Sequence, residues 1–176
     1  MFIYTSPSVG GATITAAYRQ APAVAAESMT DFAIAISPEA IDGLTLGAAM
    51  SNNTIATSVD SDESTMYATY ATGGFTFGIQ SSDLDHTTAN SDQESIAYGV
   101  TYAINDDFSI GYSYHELDFE VTSKLDQEST GVSASYTMGG MTLAGAMNEV
   151  DNMNGSTTAA NCLLYTSDAA DETCRV

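Results

Sequence analysis

The sequence has few basic residues, few cysteines and no long apolar runs, and it lacks tryptophan. Its 3 Lys+Arg stand against 23 Asp+Glu in 176 residues, so the formal net charge is 3 − 23 = −20. A nucleic-acid partner is not expected, because phosphate recognition needs a basic patch. An anionic lipid surface is disfavoured for the same reason. No apolar run approaches the ~18 residues of a membrane-spanning helix, and no basic-then-apolar signal segment opens the chain.

The two cysteines, Cys162 and Cys174, lie in a C-terminal segment that differs from the rest of the chain. The run from Cys162 to Glu172 resembles the translation of a transposase-type sequencing adapter, and sequence of that kind is set aside from fold reasoning. The alternative is a genuine acidic tail with one disulfide. Without residues 162–176 the chain has no cysteine, 2 basic and 20 acidic residues, and a net charge of 2 − 20 = −18.

Apolar side chains recur at every second position in one segment after another. Ile96, Tyr98 and Val100, for example, alternate with Ala97 and Gly99. The same alternation marks residues 12–18, 32–36, 44–50, 66–70, 75–80, 108–115, 132–138 and 141–147, and residues 2–6 match the end of one more strand. Successive side chains of a strand point to opposite faces, so the pattern predicts an all-β, antiparallel up-and-down meander of about nine to ten strands.

The segments between these strands alternate in length. Short turns rich in Gly, Asn and Asp are predicted at residues 7–11, 38–43, 72–74, 105–107 and 139–140. Long polar links are predicted at residues 19–30, 51–64, 82–95 and 116–129, with a fifth from about residue 149. Alternate connections of a meander lie at the same edge, so one rim should carry the short turns and the other the long links. Transmembrane barrels have their short turns at one rim and their longer loops at the other.

Acidic residues concentrate in the predicted long links and leave a charge-free band about ten residues tall, which matches the ~9–11 residues of a membrane-crossing strand. On one face of the segment after Phe108, Tyr112 and Tyr114 are followed at the same spacing by Glu116 and Asp118. This change from aromatic to anionic is typical of a strand that leaves a bilayer. The predicted acidic outer rim consists of Asp60, Asp62, Glu63, Asp83, Asp85, Glu116, Asp118 and Glu120.

The alternation divides the strand residues into two sets with different predicted surroundings. The aromatic members of the apolar set are predicted to face lipid: Phe75, Phe77, Tyr98, Tyr102, Phe108, Tyr112, Tyr114 and Tyr136. The small polar set is predicted to line a pore: Thr13, Thr15, Thr76, Gln80, Thr101, Ser109, Ser113, His115, Ser133, Ser135 and Thr137. A soluble sheet would use the same polar set as its solvent side.

No catalytic site can be assembled from the sequence. His86 and His115 offer no convincing nucleophile–His–acid arrangement, so we predict neither enzymatic activity nor a cofactor. The acidic clusters at residues 60–63 and 83–85 could attract Ca²⁺ or Mg²⁺, but their spacing matches no EF-hand loop. We therefore predict no metal site and, at most, loosely bound divalent cations at the acidic loops.

Two segments carry a family resemblance. Residues 3–18 read Ile-Tyr-Thr-Ser-Pro-Ser-Val-Gly-Gly followed by a strand, and residues 132–143 form a second hairpin pattern. As an ordered set, over about residues 1–160, they resemble the general porins of Gram-negative outer membranes, in the style found in alphaproteobacteria. The resemblance implies a barrel of about sixteen strands, commonly a homotrimer. The porin resemblance predicts a partial barrel over residues 1–161, truncated at both ends, and the adapter resemblance predicts a non-native tail over residues 162–176.

The chain departs from that family in having few basic residues. Before the tail only Arg19 and Lys124 remain, so a charged constriction site cannot be carried over. The resemblance predicts a passive diffusion channel for ions and small hydrophilic solutes in the bacterial outer membrane, in contact with lipid and lipopolysaccharide. The acidic rim of this chain predicts weak cation selectivity. The alternatives are a surface or secreted β-rich adhesin or structural protein, and a barrel without an open lumen.

Overall fold

The computed structural model describes residues 1–20, 28–56, 59–139, 141–156 and 162–167, with the backbone alone at 55–56 and 162–167. Within these residues, eleven strands and one 3₁₀ turn, Met153–Gly155, are the regular elements. No helix in these ranges is both long and apolar enough to cross a membrane. The strands are β1 (Phe2–Thr5), β2 (Ala12–Arg19), β3 (Ser28–Ile36), β4 (Leu44–Ala56), β5 (Val59–Thr72), β6 (Phe75–His86), β7 (Gln93–Ala103), β8 (Phe108–Phe119), β9 (Gln127–Met138), β10 (Met141–Asp151) and β11 (Cys162–Ser167).

All eleven strands form one antiparallel sheet whose order follows the chain from β1 to β11. The predicted all-β antiparallel meander is therefore confirmed, with one strand more than expected. The additional strand is β11, which pairs with β10 from Val150 opposite Cys162 to Gly145 opposite Ser167. It lies in the segment predicted to be a non-native tail, and that assignment stays a prediction. Residues 168–176 lie outside the described part of the chain.

The short turns lie at one end of the sheet, as predicted, and connect β1 to β2, β3 to β4, β5 to β6, β7 to β8 and β9 to β10. The β5–β6 turn shows why glycine is needed there. Gly73 and Gly74 have φ of 54° and 84°, which are the two positive values of a type I′ hairpin turn. Such a turn matches the twist of the flanking strands and fixes Thr72 opposite Phe75.

The predicted long links at the other end are wrong in extent. β4 and β5 continue until only residues 57–58 separate them, and residues 87–92 and 120–126 are all that separate the next two strand pairs. Part of the first predicted link, residues 21–27, lies outside the described residues. The polar composition of these segments lowers their intrinsic strand propensity, but ladder hydrogen bonds with a neighbour continue the strands. We call this end of the sheet, beyond the apolar band, the acidic end.

The sheet is a single layer and has almost no interior of its own. In the described residues only Ala17 and Phe119 are buried apolar side chains, and no large side chain is fully buried. Large apolar side chains are instead exposed, for example Phe77 at 46%, Met66 at 67% and Leu143 at 68%. Soluble domains bury such a face against a second layer, and contiguous exposed apolar patches of this kind mark interaction surfaces. The apolar face therefore requires an apolar environment outside this chain segment.

Candidate functional site

The strand register places all eleven predicted pore-lining residues on one side of the sheet, which we call the polar face. Thr76 lies opposite Thr101, and Ser109 lies opposite Ser135. Hydroxyl groups also connect neighbouring strands on this face, with 3.0 Å between Thr137 Oγ1 and Thr142 Oγ1. The other members of the predicted set on this face are Thr13, Thr15, Gln80, Ser113, His115 and Ser133.

The eight predicted lipid-facing aromatic residues share the opposite side, which we call the aromatic face. The rings of Phe75 and Tyr102 stack across β6 and β7 with centroids 4.2 Å apart, and those of Tyr98 and Tyr114 stack across β7 and β8 at 5.0 Å. Aromatic cross-strand pairs of this kind stabilise a sheet through side-chain contact. The complete aromatic set on this face is Phe75, Phe77, Tyr98, Tyr102, Phe108, Tyr112, Tyr114 and Tyr136.

The acidic residues belong mostly to strands, which corrects their predicted position in loops. The residues of the predicted rim that lie within strands are Asp60, Asp62, Glu63, Asp83, Asp85, Glu116 and Asp118, whereas Glu120 follows the end of β8. The pairing between neighbouring strands continues past the apolar band, and these acidic residues take part in it. A loop could not fix the face on which each carboxylate lies, whereas a strand does.

Most of these acids stand on the aromatic face, where several lie directly opposite one another. Asp62 is opposite Asp85, and Asp83 is opposite Glu94. Glu63 differs, because it lies on the polar face opposite Ser51. Asp31 of β3 also lies opposite Ser51 on this face, and Ser51 Oγ donates a 2.6 Å hydrogen bond to Asp31 Oδ1. Like charges directly opposite in a sheet are destabilising, so the acidic end is electrostatically frustrated.

Repulsion between neighbouring carboxylates raises the pKa of two carboxyl groups at the acidic end. Repulsion by the Asp83 carboxylate, with smaller contributions from desolvation, Asp92 and Asp62, raises the pKa of Asp85. Repulsion by Asp118, followed by desolvation and repulsion by Glu116, raises the pKa of Asp126. Both groups therefore bind protons more readily than an isolated aspartic acid does.

The described residues contain no group of three or more His, Cys, Asp or Glu side chains arranged to hold a metal ion. Opposed acids such as Asp62 and Asp85 instead form pairs along the ladder. The Asp62 carboxylate also accepts a hydrogen bond from the Asn52 amide. This arrangement concentrates negative charge at the acidic end.

His86 and Lys124 have local contacts, and His115 lies within the polar face. Nδ1 of His86 accepts a 3.0 Å hydrogen bond from the Thr88 backbone N–H, and His115 lies opposite Ala97 in the middle of the polar face. The Lys124 ammonium lies 4.2 Å from the centroid of the Phe119 ring, a cation–π contact. The two histidines lie on different strands, His86 on β6 and His115 on β8.

Asp31 and Tyr67 stand on the polar face, and neither was predicted to be part of a site. Tyr67 lies opposite Gln80 and borders a cavity of about 470 Å³ against β5–β9. Its ring occupies the space above Gly47 on β4, which a Cβ atom at that position would need. The period-two pattern placed Tyr67 on the small-residue side, but only the register between β4 and β5 brings its ring over a glycine.

Comparison with known proteins agrees with this architecture. A sequence model described as Gram-negative porin matches residues 1–160, and no curated protein matches the chain. Among solved structures, the anion-selective porin from Comamonas acidovorans has a similar fold, with a TM-score of 0.72 and 15% sequence identity. The match covers 85% of this chain and 48% of that porin, so this chain spans about half of its length. The chain belongs to the Gram-negative porin family.

Proposed function

We propose that the polar face lines a water-filled channel through which ions and small hydrophilic solutes diffuse passively. The observation that carries the proposal is the difference between the two faces of the sheet. The polar face has polar, uncharged and mostly small side chains in its central rows, whereas the aromatic face exposes stacked aromatic rings. Family membership makes the chain a protein of the bacterial outer membrane. In a barrel, an apolar outer band faces lipid and a polar interior faces water.

In this proposal the sheet is part of a longer barrel. An open meander leaves β1 and the last strand with unpaired backbone groups, and lipid cannot satisfy such groups. The length of the structural match, about half of the solved porin, supports additional strands that close the barrel. We assign residues 1–161 to the barrel and residues 162–176 to translated adapter sequence. A long sequencing read across the locus tests both assignments, because a continuous frame through residue 176 into barrel sequence would contradict them.

The channel is proposed to be weakly cation-selective. Asp31 and Glu63 stand on the polar face near the acidic end, and residues 1–161 carry a formal charge of 2 − 20 = −18. A negative mouth enriches cations locally, and salt screens the effect. The solved porin with the similar fold is named as anion-selective, but at 15% identity the likeness concerns the fold.

The remaining partners follow from the same placement. The aromatic face contacts outer-membrane lipid, the acidic end meets lipopolysaccharide together with loosely held divalent cations, and the full-length porin assembles as a homotrimer. Solutes cross by passive diffusion, so no catalytic group and no cofactor take part. An adhesin would not account for a single-layered sheet with an exposed aromatic face.

Conductance of the full-length porin in planar bilayers tests the proposal. We expect stable ion currents, a reversal potential in a KCl gradient that shows cation preference, and a weaker preference at high salt. The double variant Asp31→Asn with Glu63→Gln should reduce the preference, whereas Asp42→Asn at the opposite rim should leave it unchanged. Absence of current would contradict the channel, and anion preference would contradict the selectivity alone.

A further inference from the structure

Among the described residues, Phe119 is the one large apolar side chain that is buried. It ends β8 at the acidic end and lies opposite Gln93 on the polar face. A single layer of strands cannot cover a side chain on its own face. The cover comes from the connection between β8 and β9, since the Lys124 ammonium lies 4.2 Å from the centroid of the Phe119 ring. This connection therefore folds over the polar face.

The turn that follows β10, at residues 152–156, is bonded to the same connection. The Leu125 backbone N–H donates a 3.3 Å hydrogen bond to the Gly155 carbonyl oxygen. The Asn154 backbone N–H donates a 2.7 Å hydrogen bond to Oε1 of Gln127, which begins β9 on the polar face. The two connections thus form one folded unit, residues 119–127 with residues 152–156, which we call the cap.

Lys124 joins the two parts of the cap with one side chain. Gly155 is buried and has a φ of 71°. An added Cβ at Gly155 would lie 2.7 Å from Lys124 Cβ and 2.8 Å from Lys124 Cδ. The aliphatic stem of Lys124 therefore occupies the space above this glycine, while its ammonium reaches the Phe119 ring. Lysine stems often pack on apolar surface in this way, and here the stem and the charged end contact different connections.

The forces on the cap are nearly balanced. The contacts that close it are a cation–π contact and a few hydrogen bonds between exposed connections, and such regions open locally at low cost in free energy. Repulsion by the Asp118 carboxylate acts on Asp126 and raises its pKa, so charge pushes the connection away from β8. A small change at Lys124 is therefore expected to shift the cap between two states.

We propose that the cap is a gate at the mouth of the channel and that Lys124 is its latch, a proposal that rests on the polar face being the channel lumen. In the closed state the cap stands over the polar face of β8 and β9 and narrows the mouth. In the open state the Lys124 ammonium leaves the Phe119 ring, and the turn at residues 152–156 separates from the connection. The pairing of β8, β9 and β10 does not change between the states.

Trypsin added to the folded full-length porin measures the opening. Trypsin cleaves after lysine and arginine, and it requires several unfolded residues around the cleaved bond, so its rate follows the population of the open form. Lys124 is the single lysine among the 176 residues, so a new chain end at Leu125, identified by mass spectrometry, reports the cap. Cleavage after Arg19, which is exposed at the end of β2, is the internal reference.

Two variants should release the latch while Lys124 remains available to trypsin. Phe119→Leu keeps an apolar side chain and removes the ring that attracts the ammonium, so cleavage after Lys124 should become about three to five times faster. Gly155→Ala displaces the lysine stem and strains the turn, so cleavage should become about ten times faster. Gly145→Ala, where an added Cβ meets nothing within 4 Å, is the matched control. None of the three should change the rate after Arg19.

Single-channel recordings in planar bilayers connect the latch to conduction. We expect two current levels, with the lower level assigned to the closed cap. Lys124→Met keeps a long apolar side chain and removes the charge, so it should increase the time spent at the higher level about threefold or more. Lys124→Arg retains a cation that can lie on the ring, so it should restore the wild-type distribution.

The outcomes separate the latch, the gate and the channel. Equal cleavage rates after Lys124 in Phe119→Leu and Gly145→Ala would overturn the latch. Faster cleavage in Phe119→Leu, with the same current levels in the wild type and Lys124→Met, would overturn the gate and leave the channel intact. If the wild-type porin carries no current, the channel proposal fails and the gate fails with it, while the trypsin rates still decide whether Lys124 holds the two connections together.

Discussion

The hydroxyl of Tyr114 donates a 2.7 Å hydrogen bond to Oε2 of Glu116, two positions further along β8 on the same face. On this face Tyr112 comes before the pair and Asp118 after it. The bond therefore joins the last aromatic residue of the apolar band to the first carboxylate of the acidic end. Tyrosine suits this level, because its ring can lie in an apolar layer while its hydroxyl reaches water and polar groups.

A lysine placed on either side of β7 should distinguish the two faces. Val100 lies between Phe77 and Tyr112 on the aromatic face, and Thr101 is the next residue, on the polar face. Val100→Lys should lower the free energy of unfolding in lipid vesicles by about 2–4 kcal/mol, the cost of a lysine near the bilayer midplane. Thr101→Lys should cost much less, because its ammonium stays in water. Urea titration of both variants measures the difference, and equal losses would contradict the assignment of the faces.

The acidic end should become more stable as the pH falls. The folded-state pKa of Asp85 and of Asp126 is raised above 3.8, so folding favours the protonated forms of these groups. Their destabilising effect is complete above the raised pKa, and it is relieved as the pH falls through that value toward 3.8. Urea denaturation of the folded porin should shift to higher urea concentration over this interval.

The same prediction carries an internal control. Asp85→Asn removes one of the repelling carboxylates, so it should raise stability at neutral pH and flatten the pH dependence. High salt should have a similar effect, because it screens exposed charges. Asp42→Asn, in the turn between β3 and β4, should leave the pH profile as it is. A stability that falls steadily from pH 7 downward, with no difference between the two variants, would show that the opposed carboxylates have no role.

The β5–β6 hairpin predicts a position-specific cost for losing glycine. Gly74 has a φ of 84°, and an added Cβ would lie 3.1 Å from the Ala103 carbonyl oxygen. Gly74→Ala should therefore destabilise the fold by about 1–2 kcal/mol, the cost of an L-residue in the left-handed region. Gly145→Ala is the matched control, since an added Cβ there meets nothing within 4 Å. Equal unfolding midpoints for the two variants would contradict the I′ geometry of this turn.

Much of this fold can be predicted from the sequence, because side-chain alternation is a local property. The alternation of Ile96 to Val100 is enough to assign every second residue of β7 to one face, and the Gly73–Gly74 pair marks a hairpin without knowledge of its neighbours. Strand order then follows from short connections between consecutive antiparallel strands. The eleven polar and eight aromatic residues therefore fall on the two faces that the sequence indicates.

The features that escaped prediction depend on contacts between strands. Asp62 and Glu63 have side chains of low strand propensity, yet the ladder with β4 and β6 incorporates them and sends them to opposite faces. The placement of the Tyr67 ring above Gly47 requires the register of β4 against β5. A single sequence contains the residues of such pairs, but not the offset that brings them together.

Thiol accessibility tests most directly whether the polar face lines a water-filled channel. Ser113→Cys and Tyr112→Cys would be introduced singly into the full-length porin with any other cysteine replaced by serine, and a charged, water-soluble methanethiosulfonate would be added to open channels in planar bilayers. Ser113 is on the polar face and Tyr112 is its neighbour on the aromatic face. The account predicts that the reagent lowers the current through Ser113→Cys and leaves Tyr112→Cys unchanged. Rapid modification and block of Tyr112→Cys, with Ser113→Cys unaffected, would contradict it.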